Sequence, residues 1–345
     1  MAAPISESLI SLLRCYCKSF RCYPIRTHCR RYCTNSLSKT GREQPRARDP
    51  LPIFLKDEVQ RLLYRINSFD ISKICAPQKV PSRKPHYELL TDTQLQKKQE
   101  EAVERAQTRL QMPPVMRVRE EVNPVLSQDP ELAGLMDAKL VCVDITYGIS
   151  DRKRHVVVRD LDGTLRHGTG EERDRINQIY NPKPGRQMFT PRIFEPENLE
   201  AVLDKGWYAY VLDWACLQFE PDQPEYIRVT QRTYEHVGEN KKFDDLRSTR
   251  HFGPMAFYFA WHKSLEPLLM DMVQRDLLSD GSDLVHLFTI IHPDSETCQR
   301  IRGVDDDLQT IKIFCETETS HSYKGQLQLT IQAYEDAQNL HVDAA

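Results

Sequence analysis

Residues 156–168, VVVRDLDGTLRHG, decide between two folds. An apolar run, Val156 to Val158, leads into Asp160-Leu161-Asp162-Gly163-Thr164-Leu165. As a strand of a buried parallel sheet, the run would carry its aspartates into a ligand crevice at the carboxyl end. As one limb of a hairpin, it would turn at Asp162-Gly163, because glycine accepts positive φ. The surrounding sequence has period two, the side-chain alternation of a strand. KLVCVDIT (139–146) sets Leu140, Cys142 and Asp144 against Val141, Val143 and Ile145; RHVVVRD and TLRHG follow as two further segments. The pattern predicts a small antiparallel sheet over 137–194, with Asp160 and Asp162 as solvent-facing turn residues.

The same residues resemble the DxDGT signature of haloacid-dehalogenase-like phosphatases. There the first Asp attacks phosphorus and the second handles the proton, both beside Mg²⁺. That chemistry also needs a Ser or Thr, a Lys and a later acidic strand end, converging in a doubly wound sheet. The downstream chain offers helices instead of strand–helix–strand units. Asp305, Asp306 and Asp307 stand at the entry of an apolar run, and Asp280 and Asp283 flank Gly281 as capping or turn residues. The sequence has no GxSxG, GxxxxGK[ST], HExxH or GxGxxG, and His286 with His292 is not a metal spacing. We therefore assign no catalytic residue, cofactor or metal. A Mg-dependent phosphatase resting on Asp160 and Asp162 is the enzymatic alternative.

Outward from the sheet the period becomes helical. Val59, Leu62, Leu63 and Ile66 fall at i, i+3, i+4, i+7 in a short amphipathic helix. Thr91 with Gln94 makes a capping box for a long charged helix whose stripe is Leu95, Ala102, Val103, Ala106 and Leu110. So narrow a stripe predicts an extended arm over 54–136 with two helices. From Glu195 to the C-terminus, helical segments separated by short Pro, Asp or Gly breaks predict an antiparallel helical-hairpin domain. Residues 310–340 carry both periods and are assigned to a terminal helix. The expected fold class is α+β, mainly helical.

The N-terminus is acid-poor and rich in Arg. Residues 1–42 hold Arg14, Lys18, Arg21, Arg26, Arg30, Arg31, Lys39 and Arg42 against Glu7. With interspersed Leu and Ser, this predicts a mitochondrial presequence over 1–32, followed by a flexible leader over 33–53. The chain has a formal net charge of -3; six basic residues and one acidic lie within 1–32, so the remainder stands near -8. An acidic protein meets RNA through local patches only. The expected patch is Arg152, Lys153 and Arg154 at a hairpin turn, with Arg166, Lys183, Arg186 and Arg192. Arg83-Lys84 is a weaker candidate, and the run Phe257-Tyr258-Phe259-Trp261 is expected in the core or at a protein interface. No apolar run approaches the roughly 20 residues of a membrane span. The cysteines lack the paired C-x2-C spacing of a zinc site.

Several whole segments resemble one family. FEPDQPEYIRVTQRTYEHV (219–237) and FDDLRSTRHFGPMAFYF (243–259) are similar to the mitochondrial small-subunit ribosomal protein twenty-two family. RLQMPPV (109–115), LRHGTGEERDRINQIYNPKPGR (165–186) and QRDLLSDGSDLVHLFTIIHPD (274–294) extend the resemblance, which runs in order from about Phe54 to Leu340. It implies a non-catalytic, animal-type constituent of the mitochondrial ribosome in the matrix, supporting small-subunit assembly and mitochondrial translation. The implied partners are small-subunit rRNA and neighbouring ribosomal proteins, with no DNA. A matrix RNA-binding factor unattached to ribosomes is the other alternative.

Overall fold

The computed structural model describes residues 48–343 apart from 75–87, 122–123, 136, 150 and 152. The expected presequence, most of the leader, Arg83-Lys84 and Arg152 lie outside the described residues. The described chain is mainly helical with one small antiparallel sheet.

Helices α1 (Leu51–Phe54) and α2 (Asp57–Ile66) open it. In α2, acidic Asp57 and Glu58 occupy the first turn and Arg65 the last, matching the helix dipole. Its stripe of Val59, Leu63 and Ile66 is fully buried. These residues do not lie on an arm. They belong to the same apolar cluster as the C-terminal helices, and Phe54 meets the Phe257 ring edge-on at 5.2 Å. The sequence period shows which face of α2 is apolar but not where that face is buried.

The arm-like helix is α4 (Asp92–Arg109), which follows the short α3 (Ile71–Ile74). The Thr91 amide donates to Gln94 Oε1 at 3.1 Å, and of the helix's own residues Ala106 is the buried one.

Four strands follow: β1 (Val125–Gln128), β2 (Leu140–Val143), β3 (Val156–Arg159) and β4 (Thr164–His167). Their order is β1-β4-β3-β2, every pair antiparallel. Three strands match the predicted segments. The fourth, β1, begins ahead of residue 137, where a four-residue VLSQ between prolines gives too short a period to read.

Helix α5 (Gly170–Tyr180) is capped by Thr169, whose hydroxyl accepts from the Glu172 amide. The helical region then runs α6 (Pro196–Leu203), α7 (Tyr208–Gln218), α8 (Pro224–Asn240), α9 (Phe252–Trp261), α10 (Glu266–Gln274), α11 (Leu278–Ile291), α12 (Glu296–Arg300), α13 (Asp307–Thr317) and α14 (His321–Asp343). Pro196 and Pro224 each open a helix, where the missing N–H costs nothing. Helix α9 is apolar almost all round and sits in the core, with Phe252, Met255, Phe257 and Ala260 buried. Residues 310–340 fall in two helices, the end of α13 and most of α14, broken at 318–320, with Leu327 and Ile331 buried at helical spacing in α14. Asp306 caps α13 by accepting from the Gln309 amide at 3.2 Å. SDGSD (279–283) differs from the expected turn: it lies inside α11. Gly281 there lets the helix approach the Ile311 side chain, which a Cβ would meet at 3.0 Å.

Candidate functional site

The hairpin tip is built by backbone hydrogen bonds. The Asp160 amide donates to the Thr164 carbonyl at 2.9 Å, and the Gly163 amide to the Asp160 carbonyl at 3.1 Å. Gly163 has φ +84°, open to glycine at no steric cost. The Asp162 carboxylate accepts from the Thr164 amide at 3.0 Å, closing a local turn.

Asp160 is not a free turn residue, as the sequence suggested. Its side chain is largely covered, and Arg166 holds it, with Nε 2.7 Å from Oδ2. Lys139 Nζ approaches its Oδ1 at 2.9 Å. Arg166 also reaches Glu172 at the start of α5, at 2.8 Å. Hydrogen bonds from Arg166 hold the Glu172 carboxyl down at about 2, and those from Arg166 and then Lys139 lower that of Asp160. The cluster clamps α5 onto the sheet. A phosphoryl nucleophile needs a carboxylate free to attack along an open path; Asp160 instead faces two cations on an antiparallel hairpin. Among the described residues, no group of three His, Cys, Asp or Glu side chains is placed to hold a metal ion.

The other basic candidates divide in the same way. Arg154 is 6% exposed, and its guanidinium donates to the Asp144, Thr146 and Ile149 carbonyls at 2.7, 3.2 and 2.9 Å. It organises the β2–β3 connection from within. Arg186 donates to Glu220 at 2.9 Å and to the Leu217 carbonyl at 3.2 Å. Lys183 reaches the same Glu220 and, at 3.3 Å, Asp151. Burial alone would raise the Glu220 carboxyl, but hydrogen bonds from Lys183 and Arg186 outweigh it and leave it lowered. Lys153 and Arg192 are exposed and make no ion pair among the described residues. The structure thus brings Lys183 together with Arg186 on Glu220 and, through Asp151, close to the 151–154 turn, and separately places Arg166 among carboxylates.

The aromatic run is core: Phe257 and Phe259 are buried, and Trp261 stacks on Phe257 at 5.8 Å. Among the exposed aromatics are Trp207 and Tyr210, at the start of α7. Its inner face buries Tyr208, Val211, Leu212 and Ala215, while Trp207 (56% exposed), Tyr210 (52%) and Leu217 face outward. Tyr210 bridges Trp207 and Trp214, at ring centroids of 6.3 and 5.6 Å. The available signal was a helix apolar on all sides, which is normally buried on all sides. On the described surface it is covered on one side. Phe189 and Met188 are also exposed beside its C-terminal end, where Gln187 and Gln218 exchange hydrogen bonds at 2.9 Å.

Among the described residues, no helix is long and apolar enough to cross a membrane. In comparisons with known proteins, the sequence profile of a family described as Mitochondrial 28S ribosomal protein S22 matches residues 52–293. The chain is 41% identical over 312 residues to "Small ribosomal subunit protein mS22" of Bos taurus, covering 90% of this chain and 85% of that protein. It is 41% identical over 295 residues to the Mus musculus protein of the same name, covering 85% and 82%.

Proposed function

This chain belongs to the family of Mitochondrial 28S ribosomal protein S22, and from that premise we propose that it is a structural constituent of the mitochondrial small ribosomal subunit. The observation that carries this is 41% identity to proteins so named over nearly the whole chain. The chain supports assembly of the subunit, and through it mitochondrial translation, in the matrix. Residues 1–32 address it there, and the sheet and the helical region, with α1 and α2 packed into the helical core, form the docking body. It acts without catalysis: of the carboxylates that resemble a phosphatase motif, Asp160 serves as an ion-pair partner within the fold and Asp162 as a turn residue.

Docking is mainly onto other proteins. An acidic body gains little from an RNA backbone, whereas exposed apolar side chains such as Trp207, Tyr210 and Phe189 are those a partner protein covers. The rRNA contacts are local and to phosphates, which position without reading sequence. Of the seven cations first singled out, the described Lys153 and Arg192 are not drawn into ion pairs inside the fold, and Arg152 adjoins Lys153 in sequence.

The test is sedimentation of mitochondrial extract on a gradient. The chain is expected in the small-subunit peak, and its depletion is expected to reduce that peak. Migration as a free protein with subunit levels unchanged rejects the reading; RNA crosslinks without co-sedimentation would mark a non-ribosomal RNA-binding factor. Mg²⁺-dependent phosphate release that vanishes in Asp160→Asn would establish the phosphatase instead. Paired Lys153→Glu and Arg192→Glu substitutions should weaken crosslinking to rRNA while leaving the melting temperature unchanged.

A further inference from the structure

The two edges of the sheet are treated differently. On the β1 side, Pro124 and Pro130 flank the strand and the register shifts between Val125 and Ser127. Prolines and bulges are the devices that blunt an edge against further pairing. On the β2 side there is neither. β2 pairs with β3 in unbroken register, Leu140 opposite Arg159 through Val143 opposite Val156. The lysine next to this edge, Lys139, is turned inward onto Asp160 and Glu172.

The hydrogen-bonding sense of β2 follows from one contact. The Asp144 amide donates to the His155 carbonyl at 3.0 Å. In an antiparallel pair the bonded positions alternate, so Asp144, Cys142 and Leu140 point their backbone groups at β3. Val141 and Val143 then point theirs away from the sheet, and β2 is the last strand in the order, so no strand among the described residues pairs with its outer side. Leu140 and Val141 are exposed, and Ile145, two residues past the strand, is 92% exposed.

We propose that the outer edge of β2 receives an extended segment of another protein of the small subunit, which adds a fifth strand through the Val141 and Val143 backbone. This rests on the ribosomal reading above. The occupant is set by the chemistry of the edge. A row of N–H and C=O groups at strand spacing accepts a strand, and apolar side chains on both faces call for alternating apolar partners. A second copy of this chain does not suit it. A four-residue edge is far smaller than the roughly 1,200 Å² of a stable interface. Such an edge contributes within an assembly whose members are also held by other surfaces.

The test separates backbone pairing from side-chain loss. Val141→Pro removes an outward amide and leaves the β2–β3 bonds in place, whereas Val141→Thr keeps the amide. Both full-length chains are expressed in cells lacking the endogenous protein, and the small-subunit gradient is read. Val141→Pro is expected to lower incorporation by about tenfold, the worth of roughly one to two hydrogen bonds, while Val141→Thr incorporates normally. Normal incorporation of Val141→Pro overturns the proposal. Hydrogen exchange on the wild type tests the edge independently, without a substitution that could itself misfold. The Val141 and Val143 amides should be exposed to exchange in the free chain and protected in the subunit. Protection already present in the free monomer assigns the edge to the chain's own remaining segments, and protection that rises with concentration assigns it to a second copy; either overturns the proposal. If the wild type itself fails to co-sediment, the ribosomal reading fails first.

Discussion

A single methyl group at position 163 would collide with backbone. A Cβ there would lie 2.1 Å from the Asp129 carbonyl oxygen, and the residue's φ is +84°. Gly163→Ala is therefore expected to cost about 3 kcal/mol, combining left-handed strain with a clash that no side-chain rotation relieves. Denaturant unfolding of the purified chain measures it, and a midpoint equal to wild type would contradict this turn. The neighbouring Asp160 and Glu172 give a prediction with a sign. Both carboxyls are depressed, Glu172 from 4.5 to about 2, so the folded chain binds fewer protons than the unfolded chain in that window. Their contribution is complete above about pH 4.5 and is lost as pH falls toward 2. Arg166→Met should flatten this acid limb, as read from urea midpoints across the range. The Asp-Gly turn was legible because its rule is local. That Asp160 is held by Arg166, and that Arg154 is spent on three carbonyls, was not, because both depend on strand register.

At the scale of elements, α2 shows what periodicity omits. Its apolar face was evident, but an 18-residue charged helix after it suggested that both belonged to one arm. The structure divides them: α2 is core, and α4 is peripheral. Arg65 near the end of α2 donates to Asp283, whose side chain is buried on α11. Arg65→Met removes the partner of a buried carboxylate, which is expected to cost about 1–3 kcal/mol, measurable by thermal melting. A double substitution with Asp283→Asn should recover part of the loss. An unchanged single variant would show that solvent reaches Asp283. The helices α6 to α10 were readable from Pro openings and apolar spacing. The misplaced turn at SDGSD was not, because Gly281 serves close helix packing with Ile311, a contact the local sequence cannot display.

At the scale of the whole molecule, the sheet and the helical core are assembled from very different spans of chain. The sheet draws its strands from residues 125–167, whereas α2 is completed by partners such as Asp283, 218 positions later. Contacts this distant are slow to form, and the surface waiting for them is open to aggregation. A chain truncated after residue 240 should keep the stretch that forms the sheet yet leave Val59, Leu63 and Ile66 uncovered. Dye binding to exposed apolar surface is expected to rise, and solubility to fall, relative to the full chain. The same separation sets a timetable. A chain delivered N-terminus first presents the greasy side of α2 long before α9 and α11 exist to receive it. For that interval the segment needs a chaperone or a sheltering surface, and it becomes stable only when nearly the whole polypeptide has arrived.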